Sequence, residues 1–331
     1  MINFREEDLT LVNSASFIPW DDLYECTIFI TGATGLIGKA LVKALCYVNS
    51  VRHLNLRMIL LVRNLSAAKT TFMGIDDDSI IHFIVGNVES IPIIEKQVDY
   101  VIHCASKTSS EDFIKHAVET IQTTVYGVDN VLKLAREKQV KSLVFLSSME
   151  VYGYPAKGHQ VTENEIGQFE PTNLRNSYPI SKILGETLCF SYWKEYGIPV
   201  KTIRLTQTVG FEVNQQDRRF PAYLKRCALE KKAIILKTTG KTERSYLYVV
   251  DAVTAIMTVL LKGKNGRIYN AADENTYCSI SEMAERIANE NGLMVVYDIQ
   301  ENSSDLYLDT LYMDLDTHAI RSLGWKPMID E

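Results

Sequence analysis

The sequence lacks the features that mark membrane, secreted and nucleic-acid-binding proteins. None of its apolar runs approaches the length that spans a bilayer, and residues 5–8 are polar and acidic, unlike a signal peptide. No basic stretch is dense enough for a nucleic-acid footprint, and the formal net charge is −6. The six cysteines form no Cys-x-x-Cys pair, which excludes a disulfide framework and a zinc site. We therefore expect a soluble, cytoplasmic protein that binds no nucleic acid, membrane or metal.

What the sequence does contain is a regular alternation of β-rich runs and helical patterns. Strands are predicted at Thr27–Thr31, Met58–Val62, Ile80–Val85, Tyr100–Cys104, Ser142–Ser147, Val200–Leu205 and Ala233–Leu236. Helices are predicted at Lys39–Val48, Phe113–Lys138, Ser181–Tyr196, Arg219–Glu230, Val250–Leu261 and Ser279–Glu290. Continuous apolar strands separated by helices favour an α/β fold, a Rossmann-type doubly wound parallel sheet with a smaller C-terminal α/β lobe.

Three glycines at spacings of three follow the first predicted strand and precede the first predicted helix. In this place glycines permit a tight turn, a close approach of the backbone to a pyrophosphate, and tight packing of helix on sheet. The start of the helix then offers free N–H groups and a positive dipole to phosphates. We predict a dinucleotide site built from Gly32, Thr34, Gly35, Leu36, Ile37 and Gly38.

The residue after the second strand should contact the adenosine ribose of that cofactor. An acid there binds the 2′ hydroxyl of NAD, whereas a base pairs with the 2′-phosphate of NADP. This chain has Arg63 at that place, and an arginine fork suits phosphate. The cofactor is predicted to be NAD or NADP, with Arg63 favouring NADP.

The chain is accordingly divided into an arm, a cofactor domain and a substrate lobe. Residues 1–25 form the arm, which is expected to dock on the body through its aromatic side chains. Residues 26–210 form the NAD(P)-binding Rossmann domain. Residues 211–331 form mainly the substrate-binding lobe, with 246–262 expected to pack back on the Rossmann domain.

A tyrosine and a lysine four residues apart, Tyr178 and Lys182, lie thirty residues after Ser148. Side chains at i and i+4 share one face of a helix. A cation near a phenol favours the phenolate and lowers the phenol's pKa, so Tyr178 becomes a candidate proton acceptor from a substrate hydroxyl. Ser148 ends a predicted strand at its carboxyl edge, where open α/β sheets bind ligands.

These motifs together resemble the extended short-chain dehydrogenase/reductases, the NAD(P)-dependent nucleotide-sugar epimerase/dehydratase family. The resemblance covers nearly the whole chain after residue 25. Besides the glycine turn, it rests on Gly86–Val88, Val101–Ser106, Gly127–Leu132, Ser147–Gly153, Tyr178 with Lys182, Glu243–Tyr246 and Val249–Ala252.

The resemblance implies a role for each of these residues. Ser148 would hydrogen-bond the reacting sugar hydroxyl, Tyr178 would be the general base, and Lys182 would bind the nicotinamide ribose and lower the tyrosine pKa. Further cofactor contacts are implied for Asn87, Val88, Cys104, Ala105 and Ser106. Substrate contacts are implied for Ser148, Gln207, Arg219 and Arg244, of which the arginines suit a diphosphate; Arg218 and Lys237 are further candidates.

The reaction implied is transient oxidation of the C4 hydroxyl of a nucleotide-diphosphate sugar, with an epimerase-like outcome. Alternatively, Glu150 acts as a base for a proton α to the ketone, as in 4,6-dehydratases and decarboxylases, or it merely pairs with a nearby cation. Met149 stands where hexose dehydratases often carry an acid. An NADPH-dependent keto-sugar reductase and a non-catalytic nucleotide-binding protein are the remaining alternatives. A homodimer is expected by resemblance, through Phe113–Lys138 and Ser181–Tyr196.

Overall fold

The computed structural model of the chain describes residues 6–210, 219–299 and 310–329. Within these ranges the strands are, in chain order, β1 (Thr27–Thr31), β2 (Arg57–Val62), β3 (Ile81–Val85), β4 (Tyr100–His103), β5 (Ser142–Ser148), β6 (Gln160–Val161), β7 (Val200–Leu205), β8 (Gln207–Val209), β9 (Ile234–Leu236), β10 (Glu243–Tyr248), β11 (Ile268–Ala271), β12 (Asp273–Ser279), β13 (Val295–Tyr297) and β14 (Tyr312–Leu315).

The helices in the same ranges are α1 (Glu6–Ser14), α2 (Leu36–Arg52), α3 (Leu65–Phe72), α4 (Ser110–Lys115), α5 (Ala117–Lys138), α6 (Ser177–Tyr196), α7 (Phe220–Glu230), α8 (Val249–Lys262), α9 (Ile280–Asn291) and α10 (His318–Arg321). Short 3₁₀ turns occupy Trp20–Leu23, Met149–Tyr152 and Leu174–Asn176. The single helix predicted over residues 113–138 is in fact two, because the backbone at His116 leaves the helical region between α4 and α5.

Seven strands form one sheet in the order β11-β7-β5-β4-β1-β2-β3, and every pairing in it is parallel. Six of its strands lie where apolar runs predict them. The seventh, β11, is a strand that the sequence pattern missed, and it lies within the region assigned mainly to the substrate lobe. In this order β2 and β3 lie on one side of β1, and β4, β5, β7 and β11 lie on the other. This order confirms the predicted fold class, a doubly wound parallel sheet.

Helices cover both faces of this sheet and bury its apolar strands. One face carries α2 and α8, whose apolar side chains form a continuous core with β1 and β5. The arm joins this core through Ile18 and Trp20, both buried. The opposite face carries α5 and α6, which pack against β4, β5 and each other.

A smaller lobe follows the carboxyl edge of the large sheet. Strand β10 pairs with β12, β14 and β8, and β14 continues to β6, so segments distant in sequence meet in one mixed sheet. Strand β9, predicted as part of the main pattern, pairs instead with β13 in a separate two-stranded sheet. Helices α7 and α9 pack on that pair. The lobe therefore meets the large sheet where β5 and β7 end.

Candidate active site

The turn between β1 and α2 can be made only with glycine at two positions. Gly32 has a φ of +68°, and a Cβ on it would lie 2.7 Å from the backbone nitrogen of Ala105. A Cβ on Gly38 would lie 2.2 Å from the carbonyl oxygen of Gly32. Gly32 adopts a left-handed backbone conformation, which glycine favours. Gly38 has no Cβ and so lets α2 pack directly against the turn.

The start of α2 leaves its first N–H groups open to a ligand. Gly35 caps the helix without a side chain that could accept from them. Thr34 and Gly35 are exposed, and Leu36 and Ile37 are half-buried. Since the N-terminus of a helix attracts phosphate, the cradle fits the pyrophosphate of a dinucleotide.

The end of β4 forms the wall beside this turn. Thr31 Oγ1 contacts His103 Nδ1 at 2.7 Å and accepts from the Ala105 N–H at 3.3 Å. Burial, and to a smaller extent the nearby charge of Lys182, lower the pKa of His103 to about 3, so this imidazole is neutral. Burial also raises the pKa of the Cys104 thiol to about 12. Cys104 and Ala105 thus supply an uncharged wall, and the next residue, Ser106, is half-buried.

Two further segments flank the predicted adenosine end. Arg63 follows β2 directly and its side chain is exposed, while Asn64 caps α3 by accepting from the N–H of Ala67. Asn87 holds the turn after β3 by accepting from the Ser90 N–H at 2.8 Å.

Val88 beside that turn is buried against Gly127, where a Cβ would lie 3.0 Å from it. The Asn130 amide donates to the carbonyls of Val88 and Glu89 at 3.0 and 2.8 Å. The motif on α5 therefore fixes this segment against the sheet.

The three residues predicted to be catalytic lie together at the end of β5 and the start of α6. Ser148 is the last residue of β5 and hydrogen-bonds the phenol of Tyr178. Tyr178 and Lys182 lie on the same face of α6, with Lys182 Nζ 5.7 Å from the centre of the tyrosine ring. Nζ donates to the carbonyl of Leu146 at 2.8 Å, so the backbone of β5 orients the ammonium.

Burial governs the charges of this group. It raises the pKa of Tyr178 well above its ordinary value, and the nearby charge of Glu150 raises it further. The hydrogen bond from Ser148 and the charge of Arg175 act in the lowering direction. Burial lowers the pKa of Lys182 to about 8 against the opposing charge of Glu186. The Tyr178 shift is opposite to the one expected from the spacing with Lys182, because desolvation outweighs the favourable charges.

Two residues that the sequence analysis did not single out complete the surroundings of Tyr178. The ring of Phe113 on α4 stacks on the phenol at 4.3 Å between centroids, with 6° between planes. The guanidinium of Arg175 lies 4.8 Å from the centre of the Phe113 ring. Arg175 also pairs with Glu150, Nη2 to Oε2, at 2.9 Å. The Glu150 carboxylate, next to the predicted catalytic residues, is therefore paired with a cation. The sequence signal for this pair is an arginine three residues before Tyr178.

The side chain after Ser148 turns away from the site. Met149 is buried among residues of the smaller lobe, and its sulfur accepts from Thr206 Oγ1 at 3.3 Å. The same hydroxyl contacts the carbonyl of Ser245 at 2.7 Å. These contacts bring the chain near Gln207 and Arg244 beside the end of β5.

The predicted substrate residues lie on this side of the sheet edge. Gln207 is paired in register with Tyr246, and Arg219 donates to the carbonyl of Thr208 at 3.2 Å. In the part of the chain that the structure describes, the buried Nε of Arg244 has no hydrogen-bond partner, which suits an incoming anion. Lys237 pairs with Asp298 on the surface, and Arg218 lies outside the described residues.

The described residues give no sign of other kinds of site. No group of three His, Cys, Asp or Glu among them is arranged to hold a metal ion. No helix in the same residues has the length and apolar character of a membrane span. The glycine turn, the neutral wall after β4 and the tyrosine–lysine pair on α6 beside the end of β5 thus define a dinucleotide-binding α/β protein of the dehydrogenase type.

Comparison with known proteins assigns the family. Residues 28–272 match the model of the "NAD dependent epimerase/dehydratase family". The chain therefore belongs to that family, which is the family of extended short-chain dehydrogenase/reductases predicted from its motifs. That prediction is confirmed. This membership makes the chain one of an enzymatic family.

Three relatives differ in what they catalyse. The chain is 27% identical to dTDP-D-glucose 4,6-dehydratase of Bos taurus over 71% of its own length and 64% of the relative's. It is 30% identical to UDP-glucuronic acid decarboxylase 6 of Arabidopsis thaliana over 70% of this chain and 66% of the relative. UDP-glucose 4-epimerase of Thermotoga maritima, solved with UDP-glucose, shares the fold with a TM-score of 0.75 at 19% identity, over 92% of this chain and 94% of the other. The chain thus matches just under two thirds of the length of the dehydratase and of the decarboxylase.

Proposed function

We propose that this protein converts a nucleotide-diphosphate sugar by transient oxidation of its C4 hydroxyl, with an epimerase-like outcome. The observation that carries the proposal is the convergence of Ser148, Tyr178 and Lys182 at the carboxyl edge of β5, beside the glycine turn. When bound, NAD(P) supplies the acceptor for the hydride of that carbon.

The chain's own residues orient the substrate, accept its proton and bind the cofactor and the diphosphate. Ser148 orients the sugar hydroxyl, and Tyr178 takes its proton. Lys182, held by the Leu146 carbonyl, hydrogen-bonds the nicotinamide ribose and favours the phenolate. Arg219 and Arg244 bind the diphosphate, with Gln207 beside the sugar phosphate. Because the hydride returns to the sugar at the end of the cycle, no added cofactor is consumed.

A second candidate is a dehydratase reaction, in which Glu150 removes a proton α to the ketone, or a decarboxylase reaction, in which the ketone takes up the electron pair as carbon dioxide leaves and the enolate then gains a proton at C5, with Glu150 as the base that exchanges it. Two observations favour it: the Glu150 charge acts directly on the Tyr178 phenol, and two relatives have these activities by name. The burial of Met149 away from the site supports decarboxylation over dehydration, because dehydration needs an acid to protonate the leaving hydroxyl.

For the cofactor we propose NADP on the basis of Arg63, which is exposed at the end of β2 where an acid would bind the ribose of NAD. Arg63→Asp should weaken NADP binding by at least tenfold relative to NAD, as measured by calorimetric titration with each dinucleotide. The matched control is Arg57→Asp, at the other end of β2, which should leave the ratio unchanged. An unchanged ratio in Arg63→Asp removes the support for NADP, and with it the main support for a net reductase.

We propose that the protein works as a homodimer in the cytoplasm. Helices α5 and α6 pack side by side and expose large apolar side chains, among them Val118, Tyr126, Leu184 and Phe190, and apolar patches of this kind are typical of protein interfaces. The six cysteines are all free thiols, which suits a reducing compartment. Sedimentation should give a dimer that Phe190→Glu converts to monomer; a wild-type monomer at assay concentrations contradicts the dimer.

The experiment that tests the proposed function is mass spectrometry of the purified protein followed by turnover without added cofactor. We expect a retained nicotinamide dinucleotide and conversion of at least one nucleotide sugar to an isomer of equal mass. A product lighter by carbon dioxide or water selects the second candidate, and dependence on added NADPH selects the reductase. A retained dinucleotide with no turnover of any nucleotide sugar favours a non-catalytic binding protein.

A further inference from the structure

Arg175 is the strongest unassigned feature near the catalytic group. It lies in the 3₁₀ turn before α6, three residues ahead of Tyr178, and the roles assigned above make no use of it. Its side chain is 14% exposed and that of its partner Glu150 is 28% exposed. A pair so sheltered interacts more strongly than a surface pair, because less water screens it.

The contacts of Arg175 lead to the phenol by two routes. On one, its Nη2 lies 2.9 Å from the carboxylate of Glu150, the residue two positions after Ser148. On the other, its guanidinium lies 4.8 Å from the centre of the Phe113 ring, and that ring stacks on Tyr178 at 4.3 Å. Elements β5, α4 and α6 are therefore connected around the phenol by one arginine.

The charged groups that face Tyr178 come from the elements packed around it. Glu150 belongs to the 3₁₀ turn after β5, Arg175 to the turn before α6, and Lys182 to α6 itself. From α4 the phenol is faced by the uncharged ring of Phe113, and from β5 by the Ser148 hydroxyl. Glu150 is the one anion in this described group, so its charge opposes ionisation of the phenol.

We propose that Arg175 is a positioning residue that offsets the charge of Glu150 and holds Phe113 against Tyr178, so that the phenol can act as the base. The inference rests on the proposed function for its chemical meaning. Without Arg175 the carboxylate would face the phenol uncompensated, and the Phe113 ring would lose the cation on its outer face. The direction of each charge effect on the Tyr178 pKa agrees: Glu150 raises it and Arg175 lowers it.

The test compares Tyr178 ionisation in the holoenzyme among four proteins: wild type, Arg175→Met, Glu150→Gln and the double variant. Tyrosine labelled with an NMR-active carbon at Cζ reports ionisation directly, and the signal of Tyr178 is assigned by its loss in Tyr178→Phe. Arg175→Met should raise the titration midpoint by about one pH unit or more, and Glu150→Gln should lower it similarly. The double variant should titrate between the two single variants, near wild type.

Two controls separate charge from shape. Arg175→Lys keeps the cation and should stay close to wild type in both titration and activity. Lys232→Met removes a cation from an exposed pair with Glu230 and should change nothing. In activity measurements with a converted sugar, Arg175→Met should lower kcat about tenfold near neutral pH and move the acidic limb of the pH profile upward, with little change in KM.

The outcomes are distinct. The order Glu150→Gln, double variant, Arg175→Met, from lowest to highest midpoint, supports the inference even if no sugar is converted, and in that case the proposed function alone fails. Equal midpoints in wild type and Arg175→Met overturn it, because Arg175 then has no influence on the phenol. If the Tyr178 signal does not titrate before alkaline unfolding, the pH profile of kcat decides, and an acidic limb in Arg175→Met that coincides with that of wild type overturns the inference.

Discussion

Gly38→Ala gives a quantitative test of the cofactor turn. The new Cβ would lie 2.2 Å from the Gly32 carbonyl oxygen and 2.8 Å from the Cα of Ala33. A carbon–oxygen contact normally needs about 3.3 Å, so α2 must move away from the turn by about 1 Å. Since both obstructing atoms belong to the backbone, we place the packing cost at about 3 kcal/mol. Alanine's better helix propensity returns about 1 kcal/mol, which leaves a net loss of about 2 kcal/mol in the free energy of unfolding.

The functional effect of Gly38→Ala should exceed its effect on stability. A displacement of about 1 Å breaks hydrogen bonds from the first N–H groups of α2 to the pyrophosphate, and a hydrogen bond to a charged group is worth up to about 3 kcal/mol, so we expect dinucleotide affinity to fall about a hundredfold in calorimetric titration. Gly74→Ala is the matched control. Gly74 has a φ of +89° with no atom within 4 Å of its would-be Cβ, so the variant should lose about 1–2 kcal/mol in urea unfolding through backbone strain and bind dinucleotide normally. Wild-type affinity in Gly38→Ala would refute the assigned role of the turn.

Two further predictions concern buried charges on α6. Burial lowers the Lys182 pKa to about 8, so this side chain binds fewer protons in the folded than in the unfolded state between pH 8 and 10. The stability of wild type relative to Lys182→Met should therefore rise with pH across that window, by up to about 1.4 kcal/mol per unit. Lys182→Met should remove this contribution in urea unfolding at each pH, and an identical slope in both proteins would contradict the shift. Glu186→Gln breaks a buried pair with Arg204, which holds both carboxylate oxygens at 2.9 and 2.7 Å, and should cost about 3 kcal/mol. Its control, Glu230→Gln in an exposed pair, should leave the free energy of unfolding nearly unchanged, and a comparable loss in both variants would show that burial of the Glu186 pair is irrelevant.

The central fold could be predicted from sequence because its signals are local. Residues 28–30 and 143–146 are continuous apolar runs, as expected of strands covered on both faces. The signal of the glycine turn is equally local, because a Cβ on Gly32 or Gly38 would clash with nearby backbone atoms. Strand β11 was missed because Ile268–Ala271 is a four-residue run with a buried asparagine, Asn270, whose amide is satisfied by carbonyls distant in sequence.

The sequence predicted that Tyr178 and Lys182 lie together, but not the electrostatics around them. Spacing alone puts Tyr178 and Lys182 on one helix face. It does not reveal how deeply the phenol is buried, and burial reverses the direction expected for the Tyr178 pKa. Nor does it reveal that Arg175 pairs with Glu150, because those residues are twenty-five positions apart and meet only when α6 docks beside β5. Charge balance at this site is a property of the tertiary fold.

The measurement that tests the central claim most directly is turnover of a nucleotide sugar carrying deuterium at C4 by wild type and by Tyr178→Phe. The variant loses only the hydroxyl and keeps the ring that stacks on Phe113, so dinucleotide and sugar nucleotide should still bind. We expect wild type to return product that retains the label, without added cofactor, and Tyr178→Phe to lose at least about a hundredfold in kcat. Wild-type activity in Tyr178→Phe would contradict the account.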